Sequence, residues 1–293
     1  MIETLSSDAF RGVLRAPSQV GISPIFRAKI QVGEQSLRCY VKPLTDQIAC
    51  PATGAVVANQ EIINEALGYV LAKGCGLKVP AVAGIILLQR DQIPQALRSA
   101  LVLTACGARQ EDYLCWFSQD MVHPNLKQVH LKGGQLGSLH DRRLKRLSNE
   151  LARNQDSPRV IAFDGWLLNS DRNPGNLLAS GPNELTVIDH GRILNFPNWK
   201  PGAIGATPMP CVNKLEALIE LHNPEWSDLL PNSSAKIFAY NCFAVTFRQE
   251  GEAAARQVLA EFLDEQLDID AIIQLLQDLL DPISYAKAAG HVI

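Results

Sequence analysis

The stretch NSDRNPGNLL, residues 169–178, places an acid and several carboxamides in a Pro-Gly turn between two apolar runs. Asp171 and Asn176 are spaced as D-x-x-x-x-N, and Asp189 follows in the short segment VIDHG. A carboxylate can accept the proton of an attacking hydroxyl, and Mg²⁺ prefers hard oxygen ligands such as amides and carboxylates. The three residues therefore fit phosphoryl transfer from ATP, with Asp171 as base and the other two as metal ligands.

Phosphoryl transfer also needs a cation on the phosphates, and Lys42 is the candidate. It ends the third predicted N-terminal strand, and Glu61 and Glu65 lie one turn apart on the next predicted helix. Either acid could hold Lys42 in an ion pair. Each motif is weak by itself. The order is more specific: a strand lysine, helical acids, an Asp/Asn loop after a buried helix, and then an Asp that ends a strand.

The elements that must position these residues differ between the two halves of the chain. In the first half, apolar and polar residues alternate over 24–32 and over 36–42, which predicts a β-hairpin with a turn at 33–35. An apolar stripe predicts a helix over 59–74. Further strands are predicted at 12–15, 82–88 and 112–117.

The second half is predicted to be mainly helical. Its predicted elements are a helix at 140–154 capped by Asp141, a buried helix at 157–170 capped by Ser157, a strand at 184–191 that ends in Asp189, an irregular segment at 192–210, and three or four helices over 212–280. Asp164, inside the buried helix, is expected to bond to the loop that follows. The layout predicts an α+β, bilobal protein, with a strand-rich N-lobe over 1–118 and a helical C-lobe over 119–293.

Composition limits the classes of protein that fit. Of the 293 residues, 47% are hydrophobic and 19% are charged, which is typical of a globular protein. The net charge of −3 gives no basic field for nucleic acid, and the basic run at 142–146 is expected to be a solvated helix face. No apolar run is long enough for a membrane span, and the start has no secretory signal pattern. The seven cysteines include no C-x-x-C pair, which favours reduced thiols in a cytoplasmic protein.

Four motifs of the chain resemble the HipA-like kinases, a branch of the protein-kinase-like superfamily. The motifs are YVKP, NEALGYVLAKGCGLKVP, FDGWLLNSDRNPGN and VIDHG, and the resemblance covers roughly residues 12–195. The segment from DRNPGN to IDHG also resembles phosphatidylinositol kinases of the same superfamily. The resemblance implies a protein-kinase-like fold that uses ATP and Mg²⁺.

The resemblance also implies a role for each candidate residue. Asp171 is the implied catalytic base, Asn176 and Asp189 the Mg²⁺ ligands, and Lys42 the contact to the α and β phosphates. Glu65 is the first choice as the partner of Lys42, and Glu61 the second. The implied phosphate-covering loop is 19–24, acting through Gly21 and Ser23, and the implied adenine-binding hinge is 117–121, which includes Phe117 and Gln119.

The catalytic loop departs from the protein-kinase pattern at several positions. Asn169 and Ser170 stand where many kinases have His-Arg, so activation through that arginine is not implied. Asn173 replaces the lysine that Ser/Thr kinases have two residues after the base. Arg172 is a candidate for neutralising the transferred charge. The phosphate loop has one glycine where protein kinases have three.

The first functional hypothesis is an ATP- and Mg²⁺-dependent kinase whose acceptor is a Ser or Thr hydroxyl of a protein. An alternative is a pseudokinase that binds a partner, as an antitoxin-like or scaffold module, and transfers nothing. A third hypothesis keeps the chemistry and changes the acceptor to a small molecule or lipid. The expected partners are nucleotide, a protein substrate and an antitoxin-like regulator.

Overall fold

The computed structural model describes residues 2–14, 24–50, 53–131, 137–195, 198–201, 204 and 212–281. The chain divides into two compact units. The first comprises Met1–Ala66 and Pro80–Met121, and the second comprises Leu67–Val79 and Val122–Ile293. The predicted α+β class is confirmed, with a six-stranded sheet in the first unit and mainly helices in the second.

The first unit is built on a six-stranded sheet with the strand order β1-β7-β8-β4-β3-β2. Neighbouring strands are antiparallel, except that β1 and β7 are parallel. Two short strands, β5 and β6, form a separate pair. The elements are β1 (Glu3–Leu5), β2 (Phe10–Leu14), β3 (Phe26–Val32), β4 (Gln35–Pro43), β5 (Gln47–Ala49), β6 (Val56–Ala58), β7 (Ala83–Gln89), α2 (Gln95–Thr104) and β8 (Asp112–Gln119). The long helix α1 (Glu61–Gly74) begins in the first unit, and its residues from Leu67 onward belong to the second.

The predicted hairpin is the pair β3 and β4. Ala28, Ile30 and Val41 are fully buried, while Lys29 between them is exposed, so the alternation in the sequence gives the core face of the sheet. Gly33 makes the turn with a φ of +55°, a left-handed conformation that glycine adopts without steric cost. In this register Lys42, near the end of β4, is paired with Trp116 of β8.

Helix α1 begins two residues later than predicted and ends where predicted. The side chain of Asn59 accepts a hydrogen bond from the backbone N–H of Glu61, which explains why the helix begins there. The predicted apolar stripe is buried at every position: Ile63, Ala66, Leu67, Val70 and Leu71.

The second unit is mainly helical, with one two-stranded sheet. Its elements are α3 (Leu126–His130), α4 (Ser138–Arg153), α5 (Ser157–Trp166), β9 (Leu177–Gly181), β10 (Glu184–Val187), α6 (Lys214–Glu220), α7 (Leu230–Thr246), α8 (Glu252–Ala260) and α9 (Gln266–Asp278). Aromatic rings fill its core: Trp166 stacks on Phe243 at 6.0 Å and meets Phe163 and Phe247 edge-on. The indole N–H of Trp166 donates to the Leu276 carbonyl of α9, which ties α5 to the last described helix.

Two predicted helix caps and one predicted strand end are wrong. Asp141 does not cap α4, because the helix begins at Ser138 and its N-cap is Gly137. The N-cap of α5 is Asp156, and the Oγ of Ser157 instead donates to the Leu151 carbonyl. The strand β10 ends at Val187, two residues before Asp189.

The remaining predictions for the described residues concern thiols and membrane spans. Each of the six described cysteines is a free thiol, and four of them are buried. Burial raises the pKa of the Cys39 thiol to about 12, so that thiol stays protonated at neutral pH. Within the described ranges, every helix is too short or too polar to cross a membrane.

Candidate active site

The candidate lysine of the first unit lies in a buried ion pair. The Lys42 Nζ is 2.8 Å from the Glu65 Oε1 and 2.6 Å from the Glu61 Oε1. The lysine side chain is 7% exposed, that of Glu65 1% and that of Glu61 12%. The two acids contact the same cation because they lie one turn apart on α1. The expected pair with Glu65 is therefore present, and Glu61, the second choice, joins it.

The implied hinge lies at the end of β8. Phe117 is fully buried in the sheet core and is paired with Val41, so its side chain contributes to packing. Gln119 is half-buried, and its backbone N–H donates to the Val82 carbonyl. Asp120 follows, and its carboxylate forms an ion pair with Arg27. An adenine contact through Phe117 or Gln119 stays a prediction. Gly21 and Ser23, the implied phosphate loop, lie outside the described residues.

In the second unit, the loop that carries Asp171 is shaped by hydrogen bonds to the backbone of Asp171 itself. Its carbonyl accepts from the N–H of Asn173, from Nδ2 of Asn173 at 3.1 Å and from Nδ2 of Asn176 at 2.9 Å. Its N–H donates to the Oδ1 of Asn169. The backbone of the proposed base is therefore fixed on both sides, while its side chain stays 37% exposed. The carboxamides of Asn169, Asn173 and Asn176 thus each bond to the backbone of Asp171 and position it.

Asp164 and Arg172 form a buried ion pair beneath this loop. The side chains of both residues are 0% exposed, and Nε and Nη2 of Arg172 donate to the Asp164 carboxylate at 3.0–3.1 Å. Asn169 Nδ2 donates to the same carboxylate at 2.9 Å. Burial raises the pKa of Asp164, while the arginine and the amide donor act in the opposite direction. The prediction that Asp164 bonds to the following loop is thus confirmed.

Arg172 does not have the role suggested from the sequence. A fully buried guanidinium cannot neutralise a transferred group, so that interpretation is wrong. Its Nη1 donates to the Ile188 carbonyl at 2.6 Å, one residue before Asp189. Since Arg172 also directly follows Asp171, one buried arginine links the helix α5, the loop of the proposed base and the segment that carries Asp189. Arg172 is a positioning residue.

The proposed metal ligands are joined by this same framework. Asn176 is mostly buried, and because its Nδ2 donates to the Asp171 carbonyl, its Oδ1 is the atom that can bind a cation. The carbonyl of Asn176 accepts from the N–H of Ile188, which brings the chain before Asp189 alongside. Asp189 has a left-handed backbone, with a φ of +60°. Such strain in a residue other than glycine persists only where the surroundings impose it, and it is common at functional sites.

His190, next to Asp189, is a structural residue. It is 2% exposed, its Nδ1 lies 3.4 Å from the Arg172 Nη2, and its ring meets Phe163 edge-on. Gly68 of α1 packs directly on it, since a Cβ at that glycine would lie 2.7 Å from the His190 Cγ. The helix thus needs a glycine at this position to approach the histidine.

The sequence interpretation missed one residue that contacts the proposed base. The Nζ of Lys214, the first residue of α6, is 2.6 Å from the Oδ1 of Asp171. The lysine side chain is 53% exposed and that of Asp171 is 37% exposed. The sequence does contain a signal for Lys214. Asn213 is a good N-cap, which places Lys214 in the first turn of a helix, where a cation opposes the helix dipole. An unfavourably placed charge of this kind suggests a role outside helix stability.

The similarity of this chain to known proteins lies in its structure. No family model matches the chain, and no curated protein matches it either. Among solved structures it is similar to a proinflammatory kinase, CtkA, from Helicobacter pylori, with a TM-score of 0.56 and 11% sequence identity. The match covers 98% of this chain and 98% of that one. At this low identity the similarity shows the fold. The protein has a kinase-like fold.

The donor atoms fit a magnesium ion and a transfer reaction. The Oδ1 of Asn176 and the carboxylate of Asp189 are the hard oxygen donors that Mg²⁺ prefers, and Mg²⁺ normally keeps several waters beside one or two protein ligands. The carboxylate of Asp171 is partly exposed, as a base that must reach an incoming hydroxyl has to be.

Proposed function

We propose that this protein is an ATP- and Mg²⁺-dependent phosphotransferase of the HipA-like type. Its proposed acceptor is a Ser or Thr hydroxyl of a protein. The observation that carries the proposal is the loop of Asp171: the base has its backbone fixed by three carboxamides while its carboxylate stays partly exposed. A simple surface turn has no need for a buried arginine that also holds the segment of a second acid.

In the proposed reaction, the Asp171 carboxylate accepts the proton of the acceptor hydroxyl. The hydroxyl oxygen forms a bond to the γ-phosphorus, and the bond from that phosphorus to the bridging oxygen breaks, so ADP leaves with the electron pair. Lys42, held by Glu61 and Glu65, is proposed to bind the α and β phosphates. Asn176 and Asp189 would hold Mg²⁺, which neutralises charge on the phosphate oxygens when bound.

The direct test is incubation with labelled ATP and Mg²⁺, followed by a search for label on the protein, on lysate proteins and on small molecules. We expect label on protein Ser or Thr, and Asp171→Asn should lower the rate by at least about 100-fold, because a general base contributes about 10²–10⁴. Asp141→Asn, at an exposed position of α4, is the matched control and should leave the rate unchanged.

The result also separates the alternatives. Label on a lipid or small molecule alone would replace the protein acceptor. Nucleotide binding without transfer to any acceptor would favour a pseudokinase that binds a partner. Full activity of Asp171→Asn would contradict the role of Asp171 as base.

The proposed metal site has its own test. Asp189→Asn retains a residue that tolerates the left-handed backbone, so it removes a charge without adding strain. We expect this variant to bind ATP about equally with and without Mg²⁺, whereas the wild type should bind more weakly after chelation by EDTA. Calorimetry measures both affinities. A variant that keeps the full magnesium dependence would remove Asp189 from the metal site.

A further inference from the structure

The pair of Lys214 and Asp171 contributes little to the stability of the fold. Both side chains are substantially exposed, and exposed ion pairs contribute about 0–1 kcal/mol. The lysine also stands in the first turn of α6, where the helix dipole disfavours a cation. Neither stability nor helix formation therefore accounts for a lysine at this position, in direct contact with the proposed base.

Helix α6 is held firmly, so the position of Lys214 is well defined. Asn213 caps the helix by accepting from the N–H groups of Leu215 and Glu216, and its Nδ2 donates to the Ile161 carbonyl of α5. Leu215 is fully buried. The backbone position of Lys214 is therefore fixed relative to α5, the helix that leads into the loop of Asp171.

The next turns of α6 are fixed to two further helices. Glu216 accepts from the buried Lys236 of α7 at 2.8 Å and from the hydroxyl of Ser227 at 2.5 Å. The Ile219 carbonyl accepts from the buried Ser148 hydroxyl of α4 at 2.8 Å. A short helix tied at both ends presents one exposed lysine to one acid. Groups on rigid elements are held more accurately than groups on loops.

The reach of the lysine fits the reacting group. A base lies about 2.6–3.2 Å from the hydroxyl that it activates, and reacting atoms approach to about 3–3.5 Å. Nζ of Lys214 is 2.6 Å from the Asp171 Oδ1, so rotation of its flexible four-carbon stem brings the ammonium to the oxygens of a phosphoryl group being transferred. A cation there stabilises the charge that develops during transfer.

We propose that Lys214 is the cation that contacts the transferred phosphoryl group beside Asp171. It supplies from α6 the charge that the catalytic loop lacks at Asn173, and the proposal rests on the transferase function above. The proton and the electron pair move as described there. Lys214 exchanges no proton and remains an ammonium throughout.

The kinetic test uses Lys214→Ala, Lys214→Arg and the control Lys145→Ala, which removes an exposed lysine of α4. We expect Lys214→Ala to lower kcat by about 10²–10³. The KM for the acceptor should change by less than about threefold, and the melting temperature should not change. Lys214→Arg should regain at least about tenfold, and added methylammonium should restore turnover to Lys214→Ala but not to Asp171→Asn. A kcat within about threefold of the wild type, or a loss without rescue by arginine or amine, would overturn the proposal.

A binding measurement tests, without turnover, whether Lys214 contacts the terminal phosphate. Calorimetry compares a non-hydrolysable ATP analogue with ADP, in the presence of Mg²⁺, for the wild type, Lys214→Ala and Lys145→Ala. A cation at the terminal phosphate predicts weaker binding of the ATP analogue to Lys214→Ala by about tenfold, with ADP unaffected. Equal effects on the two nucleotides, or none, would refute the assignment. If the wild type transfers phosphate to no acceptor, the transferase proposal fails and this comparison still tests Lys214.

Discussion

Replacing Arg172 by methionine should destabilise the second unit severely. The variant removes a guanidinium that is fully buried, and it leaves the Asp164 carboxylate buried with Asn169 as its one remaining side-chain donor among the described residues. It also takes the 2.6 Å donor from the Ile188 carbonyl. Methionine has a similar length, so packing is largely retained and the loss reports mainly on charge and hydrogen bonding.

The size of the effect follows from these contacts. Removing one partner of a buried ion pair costs about 3–5 kcal/mol, because the other charge stays buried without compensation. A domain is stable by only about 5–15 kcal/mol, so the variant should lose about a fifth or more of its free energy of unfolding. For an m-value of about 2 kcal/mol/M, the urea midpoint should fall by about 1.5–2.5 M.

The loss should also depend on pH. Burial raises the pKa of Asp164, and the variant removes the arginine that opposes this rise. A carboxyl with a raised pKa in the folded state favours folding when protonated and disfavours it once ionised. The stability of Arg172→Met should therefore fall as pH rises through the folded-state pKa of Asp164. A double variant with Asp164→Asn should lack this dependence and regain more than half of the loss.

Urea unfolding followed by tryptophan fluorescence measures these changes. In a Trp116→Phe background, the other three of the four tryptophans all belong to the second unit, so the signal reports on that unit. Arg146→Met, at an exposed position of α4, is the control and should stay within about 0.5 kcal/mol of the parent. A loss below about 1 kcal/mol for Arg172→Met, or one equal to the control, would refute the argument from burial.

Two further predictions concern helix α1. Glu65→Gln should weaken ATP binding about tenfold and Glu61→Gln by less than about threefold, because Glu65 is the more deeply buried of the two acids; calorimetry that ranks them in reverse would contradict this. Gly68→Ala should cost about 1–3 kcal/mol by overpacking against His190, whereas Gly74→Ala, whose added Cβ meets nothing within 4 Å, should be neutral or slightly stabilising. Equal urea midpoints for these two alanine variants would show that the contact with the histidine can relax.

Periodic patterns predicted the regular elements of this fold well. The alternation over Phe26, Ala28 and Ile30 gave the sheet face, and the stripe from Ile63 to Leu71 gave the buried face of α1. Helix α2 was not predicted, and neither were the short strands β1, β5, β6 and β9. The strands β1, β5 and β6 have three residues each, which gives too few alternations to distinguish them from a loop.

The candidate site was predictable in its residue types and less so in its framework. The spacing of Asp171 and Asn176, and the order of Lys42 before the two acids, are properties of the sequence. The role of Arg172 is not, because a cation inside a polar turn reads equally well as a surface charge or a buried partner. Lys214 is 43 residues from Asp171, and such a contact depends on how the N-cap residue of α6 is bonded to α5.

The left-handed backbone of Asp189 limits which residues can replace it during evolution. Asparagine tolerates that conformation about as well as aspartate does and glycine tolerates it better, while most other residues would be strained in it. A library of all substitutions at position 189 should therefore contain a larger set of variants that fold. The variants that also transfer phosphate should be a smaller set within it. In the proposed reaction, exchange of Asp189 for asparagine or glycine would keep the folded chain and remove the charge of a metal ligand, so one substitution would lead from a phosphotransferase to a protein that only binds.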